Sequence, residues 1–331
     1  MTMESNTTWF ILFNAFVLVL LALDLGVFHR KAHVVKMKEA IGWSIFWVVF
    51  ALLFNLAFWW FWPDGHDGLT RNQAGLCWFT GYLIERALSI DNIFVFVVLF
   101  SYFQLPAKHH HRVLMWGILG AMILRAVFIL AGVALIEKFR WTLYIFGVLL
   151  VYTGIKLAFA KGTEVHPERN PVLKLMRKLL PITRDYVEGH FFTRVDGRLL
   201  ATPMFVVLIM VETTDLVFAI DSIPAIFGIT TSSFIIYSSN IFAILGLRAL
   251  YFALAGVMDL FHYLHYGLAA VLVFIGAKML AAEAWHFHLG IGWSLGIVGA
   301  ILAIATIASL LKPGEPKALE SSASPDAGMS G

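Results

Sequence analysis

The sequence predicts an all-α, polytopic membrane protein of about nine transmembrane helices built around an inverted repeat of three-helix units, and three observations carry that expectation. Apolar residues make up 60% of the 331 and charged residues only 14%, against roughly 45–50% and about 25% in soluble domains. The apolar residues gather in stretches near the length of about 20 that a bilayer requires. Two acidic segments recur inside those stretches, 130 residues apart and in the same order.

Hydropathy and helix breakers place the spans near 8–28, 40–62, 75–103, 112–135, 140–160, 200–228, 232–257, 264–284 and 288–311. The first follows Glu4 with no basic residue, contains Asp24 and lacks a small-residue cleavage pattern, so it reads as a span and not a removable signal peptide. Lysine and arginine concentrate in alternate connections: Arg30 to Lys38, Lys108 with Arg112, Lys161 to Arg198, and Lys312 with Lys317. The positive-inside rule makes those connections cytoplasmic, with the N-terminus outside and the C-terminus inside. The chain then divides into two N-terminal helices (1–74), a first three-helix repeat (75–160), a cytoplasmic connector (161–199), a second and inverted repeat (200–284), a last helix (285–311) and a disordered cytoplasmic tail (312–331).

The repeat is legible residue by residue. Glu85 followed by Ile90-Asp91-Asn92-Ile93 matches Asp215 followed by Ile220-Asp221-Ser222-Ile223. Leu124-Arg125-Ala126 and Leu130-Ala131-Gly132-Val133 return as Leu247-Arg248-Ala249 and Leu254-Ala255-Gly256-Val257, and Gly154-Ile155-Lys156 returns as Gly276-Ala277-Lys278. Three spans per unit is an odd number, so the second copy enters from the opposite side. Such repeats place a binding site near the midplane where the copies meet.

Glu85, Asp91, Glu212, Asp215 and Asp221 lie inside apolar stretches, where each ionised carboxylate costs about 2.5–3.5 kcal/mol at a span centre. Two readings follow. Either the carboxylates line a cation path, or Arg86, Arg125 and Arg248 neutralise them as packing ion pairs; in a mixed form the arginines hold the site when the cation has left. Helical spacing puts Glu85 with Asn92, Asp215 with Ser222 and Thr214 with Asp221 on shared faces, and sets Glu85 and Asp91 about 120° apart. Pro224 frees the carbonyl of Ile220 and is expected to break the helix beside Asp221, whereas a break around Ser89 to Asn92 would rest on Ser and Asn alone. Carboxylate, amide, hydroxyl and carbonyl oxygens favour Mn, Mg or Ca over zinc or copper, and leave proton or sodium coupling open.

Other features read more plainly. His109-His110-His111, His262 with His265, and His286 with His288 fall at span ends or in loops and are expected as interfacial polar groups more than metal ligands. Lys156 and Lys278 are expected to snorkel to opposite faces. Asp24 either caps an entry vestibule or is interfacial, and Trp59-Trp60-Phe61-Trp62 forms an interface belt. A single cysteine, Cys77, permits neither an internal disulfide nor a thiolate metal site. No P-loop appears, and a net charge of +3 does not imply nucleic acid. No enzymatic activity and no cofactor are expected.

The segments Glu85-Arg86-Ala87-Leu88-Ser89-Ile90-Asp91-Asn92 and Val211-Glu212-Thr213-Thr214-Asp215-Leu216-Val217-Phe218-Ala219-Ile220-Asp221-Ser222-Ile223-Pro224-Ala225 resemble the two signature motifs of the TerC family of membrane proteins, including its bacterial Alx-type members. The resemblance runs from Asp24-Leu25-Gly26 to the last span. It implies a protein of the bacterial inner membrane, similar to a wider superfamily of cation exporters, with manganese efflux the activity. It also implies metal-binding positions at Glu85, Asp91 and Asn92 in the first motif and at Glu212, Asp215, Asp221 and Ser222 in the second. Tellurite resistance, which gives the family its name, fits poorly, because an oxyanion gains nothing from a carboxylate-lined site. The expected function is a secondary transporter that exports Mn(II), as substrate, by alternating access within the lipid bilayer. Two alternatives stand beside it: a proton-coupled exchanger of Ca or another divalent cation, and a redox or stress modulator that organises partners through the connector.

Overall fold

The computed structural model describes residues 3–26, 37–159, 171–183, 185–187, 189–195, 197–255, 263–287 and 289–311. In chain order these form α1 (Met3–Gly26), α2 (Met37–Phe61), α3 (Arg71–Tyr102), α4 (Ala107–Lys138), α5 (Thr142–Phe159), α6 (Pro171–Leu179), β1 (Phe192–Val195), β2 (Arg198–Ala201), α7 (Pro203–Phe227), α8 (Ser233–Leu245), α9 (Leu247–Leu254), α10 (Leu264–Trp285) and α11 (Ile291–Leu311). Among the described residues six helices, α2, α4, α5, α7, α10 and α11, are long and apolar enough to cross a membrane, and the bent pair α8–α9 makes a seventh if it is one span. That is fewer than the nine expected. The described apolar part of α1, Thr8–Leu23, is short, and α3, although 32 residues long, carries Glu85, Arg86 and Asp91 within its length. The molecule is an all-α polytopic membrane protein, with one small antiparallel hairpin among the described residues.

Local chemistry explains the helix ends. Thr70 and Gln73 form a capping box, the Gln73 N–H donating to Thr70 Oγ1 and the Thr70 N–H to Gln73 Oε1, which starts α3 at Arg71, earlier than hydropathy implies. Pro203 opens α7, where its missing N–H costs nothing. The breaks expected inside the acidic motifs do not occur: α7 runs unbroken through Pro224 and α3 runs unbroken from Ser89 to Asn92. Pro224 lies in the last turn of α7, so it forfeits one hydrogen bond without a turn beyond it to misdirect. The helix breaks elsewhere, at Gly246, where α8 and α9 bend by 40°. A Cβ at Gly246 would sit 2.5 Å from Arg86 Nη1 and 3.1 Å from Trp47 Cβ, so a larger residue there would oblige the end of Arg86 to shift.

Helix α3 runs through the middle of the bundle, buried over most of its length, and packs on α7 and α8; α4 packs on the same two helices. The closest pairing joins α5 to α10, where Gly147, Gly154 and Gly276 bring backbone against backbone. Trp60, Ile123, Val148 and Ile304 point outward on the apolar exterior.

The connector is structured where described. Leu173 and Met176 of α6 are buried in a cluster with Met204 and Val207 of α7. Strands β1 and β2 pair from Phe192↔Ala201 to Val195↔Arg198, and the Tyr186 hydroxyl donates to the Phe103 carbonyl at 2.7 Å. Burial holds that phenol above its usual range. Tyr186→Phe is expected to remove about 1 kcal/mol of connector docking; limited proteolysis should cut this segment about fivefold faster while the helical bundle keeps its melting midpoint. The expected tail 312–331, Gly256-Val257 of the repeat, His262, His288 and the side chain of Asp24 lie outside the described residues.

A candidate acidic centre between the two motifs

Four helices each deliver one polar side chain to a fully enclosed cluster. Glu85 of α3, Arg125 of α4, Asp215 of α7 and Asn240 of α8 are all at most 3% exposed. Arg125 donates from Nη2 to Asp215 Oδ1 at 3.1 Å and from Nε to Asp215 Oδ2 at 3.4 Å, the two-pronged geometry that suits a planar guanidinium to a carboxylate. Its Nη1 donates to Glu85 Oε1 and to Asn240 Oδ1. Asn240 Nδ2 in turn donates to Glu85 Oε2 at 3.2 Å. Ionised, the cluster holds two negative charges against one positive.

Oxygen atoms with no hydrogen-bond partner among the described residues lie nearby. Ser89 Oγ, one turn along α3 from Glu85, is one, while Ser222 Oγ lies against Glu85 itself. Asn92 is buried as well. Glu212, one turn before Asp215, is half-buried with Oε2 unpartnered, and it presses against α4 at Gly120, where a Cβ would overlap its carboxylate.

The remaining motif acids stand apart. Asp221 accepts a hydrogen bond from Thr153 Oγ1 of α5 at 3.0 Å, with Lys156 nearby. Asp91 is half-buried and makes no hydrogen bond or ion pair among the described residues. The structure therefore joins Glu85 to Asp215 through Arg125, and leaves Asp91, Glu212 and Asp221 outside that contact. Among the described residues no group of three or more His, Cys, Asp or Glu is placed to hold a metal ion in this conformation. Thr214, expected on the face of Asp221, spends its hydroxyl on the Met210 carbonyl.

Of the three arginines expected to neutralise the acids, Arg125 does so for Glu85 and Asp215. Arg86 donates to the Ala243 carbonyl at 3.1 Å, and Arg248 reaches His111 Nε2 at 2.8 Å. Lys278 does not merely snorkel, since its Nζ donates to the Gly228 carbonyl at the end of α7. His110 bridges the Leu105 carbonyl and the Tyr251 hydroxyl, a structural role. Trp59, Trp60 and Phe61 are exposed as a belt should be, while Trp62 turns inward.

The model of the integral membrane protein TerC family matches residues 70–316, a range that holds both acidic motifs and all four members of the buried cluster. The chain belongs to the TerC family. Its relatives include an uncharacterized membrane protein, STKORF319, of Myxococcus xanthus, 50% identical over 301 residues that cover 91% of each chain. A Salmonella typhi protein provisionally named membrane-bound redox modulator Alx is 48% identical over 296 residues, covering 89% of this chain and 91% of its own. The protein of the same name from Escherichia coli K12 is 47% identical over 296 residues, covering 89% and 92%. No solved structure matches. In this TerC-family chain Asn240 is the member that sequence reasoning missed. The polar run Ser238-Ser239-Asn240 inside an otherwise apolar helix is the signal that marks it.

Proposed function

We propose that this TerC-family protein is a secondary transporter that exports a divalent metal cation, Mn(II) foremost, from a bacterial cytoplasm across the inner membrane. The observation that carries the reading is the pair Glu85 and Asp215, one carboxylate from each acidic motif and repeat-matched to each other, enclosed in the bundle and sharing one guanidinium. Buried carboxylates inside spans mark ion paths far more often than packing.

The helix contacts are consistent with an inverted repeat. Exchanging α3 with α7, α4 with α8, and α5 with α10 turns the α3–α8 contact into α7–α4, and returns α3–α7, α4–α8 and α5–α10 to themselves. Under this reading Arg125 occupies the carboxylates in the conformation described. An arriving cation displaces it and takes Glu85, Asp215 and the Asn240 carbonyl oxygen, with Ser89 and Ser222 supplying hydroxyl oxygens. Asp91, Asn92, Glu212 and Asp221 continue the path along α3 and α7. Arg125 returns when the cation leaves, so the carboxylates are never left bare. A proton or sodium gradient drives the cycle, and the connector and C-terminus face the cytoplasm.

Calcium or another divalent ion would use the same oxygens, so one flux assay must compare them. Vesicles of inverted orientation carrying this protein are expected to accumulate radiolabelled manganese only under an imposed gradient, and to lose that uptake with Asp91→Asn or Asp221→Asn at matched expression. Absence of manganese uptake by the unmodified protein rejects the metal, and stronger uptake of calcium transfers the assignment to calcium.

A further inference from the structure

Away from the acidic centre, an apolar groove of about 380 Å³ opens between α1 and α2, lined by Trp9, Leu12, Phe16, Phe58 and Phe61, with His66 at its mouth. It is a wedge. At the narrow end Phe16 stacks on Phe50 and Phe54 with ring centroids 6.2 and 6.3 Å apart. Toward the mouth α1 leans on α8 instead, through Trp9 and Phe10 against Phe234, and through the Tyr237 hydroxyl donating to Asn14 Oδ1 at 2.7 Å. Leu12 and Phe61 are left largely exposed on the two walls. In a membrane protein this open side faces hydrocarbon, and the medium itself supplies long apolar chains that fit a slot between helices.

The polar groups at the mouth select among lipids. The turn from Trp62 to Arg71 carries Asp64, His66, Asp67 and Arg71. Arg71 is anchored there, its side-chain Nε donating to the Trp62 carbonyl at 3.3 Å and its backbone N–H to Asp64 Oδ1 at 2.7 Å. Asp67 accepts from the Ser232 hydroxyl at 2.6 Å, and His66 Nε2 lies 4.0 Å from its other oxygen. One cation and two carboxylates on the same turn oppose a headgroup of net negative charge. They complement a headgroup that carries both a phosphate and an ammonium.

We propose that the groove is a lipid site that seats an acyl chain of an amine-bearing zwitterionic phospholipid of the phosphatidylethanolamine class. Its phosphate lies toward Arg71 and its ammonium toward Asp64 and Asp67. The chain completes the packing of α1 against α2, so the N-terminal helix is held in place partly by lipid.

The test uses the full chain reconstituted in nanodiscs of equimolar phosphatidylethanolamine and phosphatidylglycerol, released into detergent and weighed intact by native mass spectrometry. Ala57→Trp fills the groove from its wall, Arg71→Gln removes the rim cation, and Leu56→Trp adds the same bulk outside the groove as a control. The expected result is a phosphatidylethanolamine adduct on the unmodified chain and on Leu56→Trp, reduced about tenfold in the other two. Equal phosphatidylglycerol adducts, an adduct of another apolar molecule, no adduct, or an adduct that survives Ala57→Trp would each overturn the proposal.

Discussion

Arg125→Leu is expected to cost about 3–5 kcal/mol of stability, because it strands Glu85 and Asp215 as buried carboxylates with no cation between them. The loss reaches past the ion pairs, since Asn240 Oδ1 also gives up its donor. Measured as a thermal midpoint in detergent by intrinsic fluorescence, the variant should melt far below the unmodified protein. Adding Glu85→Gln and Asp215→Asn to it should restore much of the loss, because a cluster neutralised as a whole carries no stranded charge. Arg125→Lys should fall between, keeping the charge but losing the fork that holds both oxygens of Asp215. An unchanged midpoint for Arg125→Leu would mean that the carboxylates are already protonated and that the guanidinium is dispensable.

The second large effect is expected at the seam of α5 and α10. A Cβ on Gly276 would lie 2.7 Å from the Gly147 carbonyl oxygen and 2.9 Å from Leu150 Cβ and Val151 Cγ2; one on Gly154 would meet the Ala269 carbonyl at 2.8 Å and Val273 Cγ2 at 2.7 Å. Backbone carbonyls cannot rotate aside, so the helices must part. Even alanine should cost about 1–3 kcal/mol, the range for overpacking a tight interior. Gly276→Leu should cost more and lower the yield of folded protein. Gly292→Leu and Gly299→Leu in α11, where nothing lies within 4 Å of the added carbon, supply the control. Equal midpoints for Gly276→Leu and Gly299→Leu would show that the seam is not tight.

Much of this architecture was legible because hydrophobic runs report bilayer exposure directly. The starts of α5 and α10 fall within two residues of the hydropathy estimate. The missed features depend on information that hydropathy does not carry. The bend at Gly246 sits where Arg86 of another helix reaches α8 and donates to the Ala243 carbonyl, and the hairpin of β1 and β2 has Gly197 at a φ of 74°. Of the candidate site, Glu85 and Asp215 were visible as charges in apolar surroundings, and Arg125 was visible as a neutralising partner. Asn240 was hidden because a neutral amide leaves hydropathy nearly unmarked. The separation of Asp91 and Asp221 from the cluster was hinted at by the 120° between Glu85 and Asp91, but the partner of Asp221, Thr153, comes from a distant helix that spacing cannot locate.

The glycine seam between α5 and α10 also sets what can move. Two helices whose backbones approach this closely, with few side chains between them, have little room to slide and are expected to move as one post. If the protein exposes its acidic centre alternately to the two sides, α3, α4, α7 and α8, which carry that centre and meet through side chains at Gly81, Gly117 and Gly120, are the parts expected to turn. A crosslink across the post should leave transport intact, whereas one between α4 and α7 should stall it.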